Sequence, residues 1–183
     1  MKEFQRYLEA VAQANGLRAP LSWLFYPGML QESQAMWWAD FGTRATCHEG
    51  IDICLYRNDH GPITPLAPGA RVPAMADGTV LNISGDLLGS SLVVSLPGQA
   101  TPGQQTVLVY SHLAVAQALK PGDRLTRGSI IGQTFDTRIK KSRLLSHLHL
   151  SCICVPESTD PPALNWTLFA DRERVFHINP VFL

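Results

Sequence analysis

Two short stretches set far apart in the chain constrain its fold more than anything else in it. They are His48-Glu49-Gly50-Ile51-Asp52 near the front and His147-Leu148-His149 near the back. Imidazole and carboxylate are donors of the zinc type. Alternation along a strand puts both imidazoles of the rear stretch on one face. The front pair is more demanding, because in extended chain His48 and Asp52 would stand about 13 Å apart, too far to share one ion. The backbone must curl between them, and Gly50 sits where a curl costs least. A helix would also bring positions i and i+4 together, as in metal motifs built on helices. Gly50 inside the stretch, with Ile51 and Ile53 beside it, argues against that. The expectation is a bend entering a strand, with two donors meeting a third from a strand far along the chain.

With 183 residues, 45% hydrophobic content and zero formal charge, the chain can bury a single core. The balanced charge gives no reason to expect a nucleic-acid partner. No apolar run approaches the length of a membrane span. Met1-Lys2-Glu3-Phe4-Gln5-Arg6 is not followed by an apolar stretch, so no signal peptide is visible. The four cysteines, Cys47, Cys54, Cys152 and Cys154, lie close to the proposed donors. They permit two disulfides in three connectivities, but read most simply as small buried apolar residues. On a continued strand Cys152 and Cys154 point away from the face carrying His149, whereas Cys54 shares the parity of Asp52.

The expected architecture is mostly β: an antiparallel sheet or barrel-sandwich-like domain carrying a metal groove, plus a short N-terminal helical segment. Residues 1–40 form a helical, aromatic-rich segment packed on a β-domain of residues 41–183. Phe4, Leu8, Val11 and Ala12 follow helical spacing, with Asn15 and Gly16 as a stop. Trp23, Phe25, Tyr26, Trp37, Trp38 and Phe41 read as a satellite core. From Arg71 onward, short strands alternate with turn signals. They run over 72–74, 79–83, 91–96, 106–111 and 129–134, and the His pair lies on another. The proline-containing stretch from His60 to Gly69 is expected to border the site as a loop. His60 reads as surface and His177 as structural.

Several blocks surround these donors. Phe41-Gly42-Thr43-Arg44 leads into the first stretch, and Arg71-Val72-Pro73-Ala74-Met75-Ala76-Asp77-Gly78-Thr79-Val80 follows it. Then come Tyr110-Ser111-His112-Leu113, Lys120-Pro121-Gly122-Asp123-Arg124-Leu125, Gly128-Ser129-Ile130-Ile131-Gly132 and Ser146-His147-Leu148-His149-Leu150. In this order they resemble the lysostaphin/LytM-type zinc metallopeptidases, which cut peptide bonds in bacterial cell walls. The resemblance covers about residues 41–154, plus Ile178-Asn179-Pro180. It implies that His48, Asp52 and His149 hold Zn2+, and that His147 and His112 are non-ligand catalytic histidines serving the attacking water and the developing oxyanion. It also implies a peptide or peptidoglycan substrate and a place in the cell envelope or outside the cell. Two neutral imidazoles and one carboxylate would leave the zinc site a charge of about +1, suited to polarising a carbonyl and lowering the pKa of water.

One stretch departs from the resemblance. Where the family has a glycine-rich loop before its final His pair, this chain has a basic run from Phe135 to Ser146 without Gly or Pro. It reads as a solvated surface loop. The other reading is that Arg138, Lys140, Lys141 and Arg143 meet a substrate carboxylate. Two other functions compete with a peptidase. A non-catalytic relative acting as a regulator or binding module would show gaps among the ligands, and this chain has none. A lipoyl- or biotinyl-type carrier would need a modifiable Lys at a hairpin tip and has no use for the histidines.

Overall fold

Leu92-Val93-Val94 and Val107-Leu108-Val109-Tyr110 are apolar at every position, and a strand reads that way when both its faces are covered. The computed structural model, which describes residues 2–98 and 101–183, shows what covers them. Helix α1 (Glu3–Ala14) opens the chain, followed by β1 (Leu21–Leu24), β2 (Ile51–Ile53), β3 (Leu55–Asn58) and β4 (Thr64–Pro65). The central run is β5 (Arg71–Pro73), β6 (Gly78–Gly85), β7 (Ser90–Ser95), β8 (Gln104–Val115), β9 (Arg124–Leu125) and β10 (Ile130–Thr134). Strand β11 (Leu148–Pro156), the one-turn α2 (Trp166–Phe169) and β12 (Phe176–Ile178) complete it.

The larger sheet runs β12-β11-β8-β7-β6-β9, with β2 joined to β11 and β10 pairing with both β8 and β5. Every pairing is antiparallel. A smaller sheet, β1-β3-β4, carries part of the N-terminal segment. The fold is therefore the mostly antiparallel β-architecture with a short leading helix that the sequence pattern predicts.

One face of the large sheet carries Leu92, Val94, Leu108, Tyr110, Leu148, Leu150 and Cys152, covered by Phe4, Tyr7 and Val11 of α1. The opposite face carries Val93, Val107, Val109, Ile153 and Val155, covered by Leu164, Leu168 and Phe169. Helix α1 stops at Asn15, whose side-chain amide donates to the carbonyls of Val11 (2.8 Å) and Arg71 (2.9 Å) and accepts from the Arg71 N–H (2.8 Å). A third cluster of Met29, Trp37, Cys54, Leu55, Leu88 and Leu144 seats the aromatic segment against the sheet. Of the aromatics expected to form a satellite core, Trp37 is buried here and Phe25 and Trp38 pack against it, whereas Trp23 joins the main core and Tyr26 and Phe41 are exposed. The stretch from His60 to Gly69 contains β4. Its Ile63 and Pro65 line an apolar groove with Tyr26, Phe41 and Leu145, beside the histidine-lined cleft.

Among the described residues, no helix is long and apolar enough to cross a membrane. All four cysteines are free thiols. Burial pushes Cys54 and Cys152 up to about 12, so neither is a thiolate at neutral pH.

Candidate metal centre

Register builds the site. Strand β11 lies between β2 and β8 where His149 sits, with Asp52 opposite it on one side and Ser111 on the other. Residues directly across a ladder share a face, so Asp52 and His149 meet because Ile51 and Ile53 bury themselves on the other side. His48 comes from the bend just before β2. Gly50 is required there for closeness of approach. A Cβ on it would lie 2.3 Å from the Leu150 carbonyl oxygen and 2.9 Å from Nε2 of His149.

Three donor atoms converge as a result. His48 Nε2 and His149 Nδ1 are 3.0 Å apart, and Asp52 Oδ1 lies 3.1 Å from the first and 2.9 Å from the second. All three residues are buried. The outer nitrogen of each ring has a partner of its own: His48 Nδ1 faces the Leu30 carbonyl at 3.1 Å, and His149 Nε2 faces the Ser151 hydroxyl at 2.9 Å. A carbonyl can only accept, so His48 carries its proton on Nδ1 and presents the lone pair of Nε2 inward. The Ser151 hydroxyl can accept a proton from Nε2 of His149, and in that tautomer Nδ1 likewise turns its lone pair inward. Two neutral imidazoles cannot hydrogen-bond to each other through two lone pairs, yet these stand 3.0 Å apart beside a carboxylate. A cation among the three donors resolves the conflict. Tetrahedral zinc, with legs of 2.0–2.2 Å, would space its donors by about 3.3–3.6 Å, a few tenths of an ångström wider than the observed triangle. The residues fit a zinc-type ion.

The shell behind the donors is also specified. Trp37 Nε1–H donates to Asp52 Oδ2 at 2.6 Å, leaving Oδ1 for the shared centre. The Arg44 guanidinium stands 3.8 Å from the same Oδ2 while stacking on Trp38 and donating to the Gly28 and Ala35 carbonyls. Burial by itself would raise the Asp52 carboxyl. Once the neighbouring rings take up protons, the charge on His147 and hydrogen bonds from His149 and His48 outweigh it and hold the carboxyl well below its usual range. Burial lowers His147 to about 4 and His149 to about 3, so both imidazoles are neutral at pH 7.

The two further histidines are beside this centre. His147 is buried under Trp37 (ring centroids 5.3 Å apart), donates Nδ1–H to the Leu145 carbonyl at 2.8 Å, and places Nε2 3.5 Å from Asp52 Oδ1. His112 stacks edge-on to it at 4.9 Å. Both line a cleft of about 410 Å³ that also includes the three donors, Trp38, Leu144 and Trp166. The structure thus brings His48, Asp52, His149, His147 and His112 together. His60 is exposed beside Asp59, and His177 is buried with Nε2–H donating to the Phe169 carbonyl, as expected of both. Cys54 keeps apart from the donor cluster, its thiol on the Ser146 carbonyl.

Sequence reasoning missed Trp37, Arg44, Ser151 and Asp86 as partners of the site. Ser151 was the most discoverable, being two residues beyond His149 on the same strand face. The charged side chains of the basic run are at the surface, while its Thr137, Leu144 and Ser146 are buried. Arg138 pairs bidentately with Asp136, Arg143 reaches Asp40 at 3.1 Å, and Lys140 caps the Leu87 carbonyl at 3.0 Å.

Neither the known protein-family models nor the curated proteins contain a match to this chain. Solved structures do. Helicobacter pylori Csd3 is similar in two crystal forms, at 20% and 22% identity and TM-scores of 0.45 and 0.42, over 82% and 73% of this chain. The chain spans about a third of Csd3's length, 33% and 32% in the two forms. The catalytic domain of a mutant of the prophage-encoded M23 protein EnpA from Enterococcus faecalis is 18% identical, with a TM-score of 0.44, over 87% of this chain and 94% of that one. Likenesses of this size leave the functional reading to the side chains of the centre itself.

Three outcomes test the centre. His48→Ala and Asp52→Ala should each abolish stoichiometric zinc in the purified protein, measured by metal analysis, whereas Trp37→Phe should keep the site but weaken zinc by about 10–100-fold. Full occupancy in either ligand variant would refute the donor assignment. Gly50→Ala should lower both Tm and zinc affinity, because the added methyl collides with backbone at Leu150. The third outcome concerns pH. His147 and His149 bind protons more weakly in the folded than in the unfolded chain, whose reference value is 6.5, so unfolding takes up protons and stability drains as pH falls. Calorimetry of the metal-free protein should therefore show Tm dropping between about pH 6.5 and 4; a flat profile would show that these rings are not held neutral.

Proposed function

We propose that the chain is a zinc-dependent endopeptidase that hydrolyses peptide bonds in peptidoglycan cross-links or stem peptides. The observation that carries the reading is the convergence of two imidazole nitrogens and one carboxylate oxygen beside two non-ligand histidines, all within one open cleft. The resemblance of the sequence blocks to lysostaphin/LytM-type peptidases supplies the substrate class. A regulator or binding module would have no evident need for His147 and His112 beside an intact donor set.

When bound by His48, Asp52 and His149, a zinc ion supplies Lewis acidity, polarising a carbonyl and making water more acidic. The chain's own groups do the rest. Trp37 Nε1–H holds Oδ2 of Asp52 and leaves Oδ1 turned toward the two inward ring nitrogens, which orients the carboxylate. His147, neutral at pH 7 and with Nδ1–H committed to Leu145, has its Nε2 lone pair available as a proton acceptor on the donor side of the cleft. His112, whose Nδ1 faces Asp86 at 3.2 Å, has Nε2 left for a proton or for charge developing on a substrate oxygen. Trp166, packed edge-on to His149 at 5.5 Å, and Leu144 give the cleft apolar walls that strengthen these interactions. Because the charges of the 135–146 run are mostly paired within the protein, recognition falls to the cleft walls and the apolar groove beside them.

His147→Ala and His112→Ala should each keep zinc but lose turnover by about 10²–10⁴-fold on peptidoglycan or on a panel of Gly-rich and stem peptides. Zinc-loaded wild-type protein that cuts nothing in the panel would replace this reading with a non-catalytic metal-binding one.

A further inference from the structure

We propose that Asp86 is the positioning residue for His112. Its carboxylate, acting with a bulge in β8, holds the imidazole with Nδ1–H turned into the sheet and Nε2 left for the cleft. The role rests on the peptidase reading above, since orientation matters only where His112 handles a proton or an oxyanion of the substrate.

The bulge comes first. Ser90 pairs with Leu113 and Leu92 with Tyr110, so one residue of β7, Ser91, stands opposite two of β8, Ser111 and His112. His112 takes up the extra length in the left-handed region, at φ +62°. Such bulges re-aim a side chain. For a residue other than glycine this conformation needs outside support. The bulge also removes the His112 N–H from the regular ladder.

Asp86 gives that support at both ends of the residue. Its Oδ2 accepts the His112 backbone N–H at 2.8 Å, and its Oδ1 lies 3.2 Å from Nδ1 of the ring. The same carboxylate accepts the N–H groups of Leu88 (2.9 Å) and Gly89 (2.7 Å) and the hydroxyl of Ser91 (2.9 Å). Its side chain is 1% exposed. A hairpin turn accounts for the Leu88 and Gly89 contacts, but not for the reach to a residue 26 positions along the chain. Behind it, Trp166 Nε1–H donates to the Ser91 hydroxyl at 2.8 Å, and Ser111 lies 2.7 Å from that hydroxyl. Gly89 lets the hairpin tip approach, because a Cβ there would lie 2.6 Å from the Leu113 carbonyl oxygen. A carboxylate can only accept, so the arrangement selects the Nδ1–H tautomer of His112, the logic of an acid–histidine pair that fixes which nitrogen works.

The first test needs no activity. Long-range 1H–15N NMR of the full-length, zinc-loaded protein should show neutral His112 protonated on Nδ1, and Asp86→Ala should abolish that preference. A wild-type ring protonated on Nε2, or a tautomer unchanged in the variant, overturns the proposal. The wild-type spectrum decides even if the variant fails to fold. The second test is a double-mutant cycle on the cleaved peptide, with zinc content measured alongside. Asp86→Ala should lower kcat by about 10–100-fold with zinc retained and KM changed less than about twofold. In a His112→Ala background the same change should cost less than about threefold, because its route to the chemistry is gone. An equal loss in both backgrounds would mean that Asp86 only builds the hairpin, and would refute the role. If the wild type cuts no peptide, the peptidase reading fails, while the NMR result still decides whether Asp86 sets the ring.

Discussion

The structure depends on the antiparallel pairing of β2 with β11, which sets Asp52 directly across from His149. Side chains in a strand alternate, so a slip of one residue would send Asp52 into the apolar core and bring Ile51 or Ile53 into the cleft. The same slip would bury an unpaired carboxylate among Leu148, Leu150 and Tyr110, and breaking a buried charge from its partners costs about 3–5 kcal/mol. Hydrophobic burial on one face and donor pairing on the other therefore favour one register. The donor cluster and the core are specified by the same few residues, and neither can shift alone.

That coupling extends to the N-terminal segment. Leu30 supplies the carbonyl that fixes the His48 tautomer, Trp37 holds the outer oxygen of Asp52, and Arg44 ties the segment to itself while facing the same oxygen. Met29 and Trp37 are buried in the cluster that seats these residues on the sheet. Packing alone would explain why this stretch is rich in aromatics. The indole N–H on a buried carboxylate adds a reason why a tryptophan, and no simple hydrocarbon ring, stands at position 37.

The strands, the leading helix and the bend between His48 and Asp52 were legible because each depends on local pattern, whereas His112 was reached only through the resemblance of its block to a known family. Alternation gave the face of His147 and His149, the five-residue spacing with Gly50 gave a bend, and a helical period ran from Phe4 to Ala12. Gly50 itself was legible only in part. It was read as a point where a curl is cheap, whereas the structure needs it because a Cβ there would collide with the Leu150 carbonyl and the His149 ring. Trp37 and Asp86 were illegible as site partners for a different reason. Their roles come from packing between segments 15 and 26 residues apart, through one indole and one hairpin tip, and no periodicity encodes such a meeting. The bulge at His112 is similar, since Ser111-His112-Leu113 looks like ordinary strand until the register of β7 is known.

The centre has to meet two opposed electrostatic demands in one dry pocket. Its imidazoles must be neutral to offer lone pairs, which low dielectric favours, because burial penalises the protonated ring. Its carboxylate must stay charged, which low dielectric opposes. Uniform burial cannot satisfy both. The protein separates them by the chemistry of the neighbours: the rings of His48, His149 and His147 each have an outer nitrogen facing a neutral oxygen, at Leu30, Ser151 and Leu145, so no added charge pulls these rings toward protonation from behind. Asp52 is met by N–H and positive groups, Trp37 at 2.6 Å and Arg44 at 3.8 Å. Asp86 repeats the scheme away from the donors, where four hydrogen-bond donors besides the His112 ring keep a second carboxylate ionised. Neutral acceptors behind the rings and donors around the carboxylates are what let one pocket hold two lone pairs and a negative charge facing the same point.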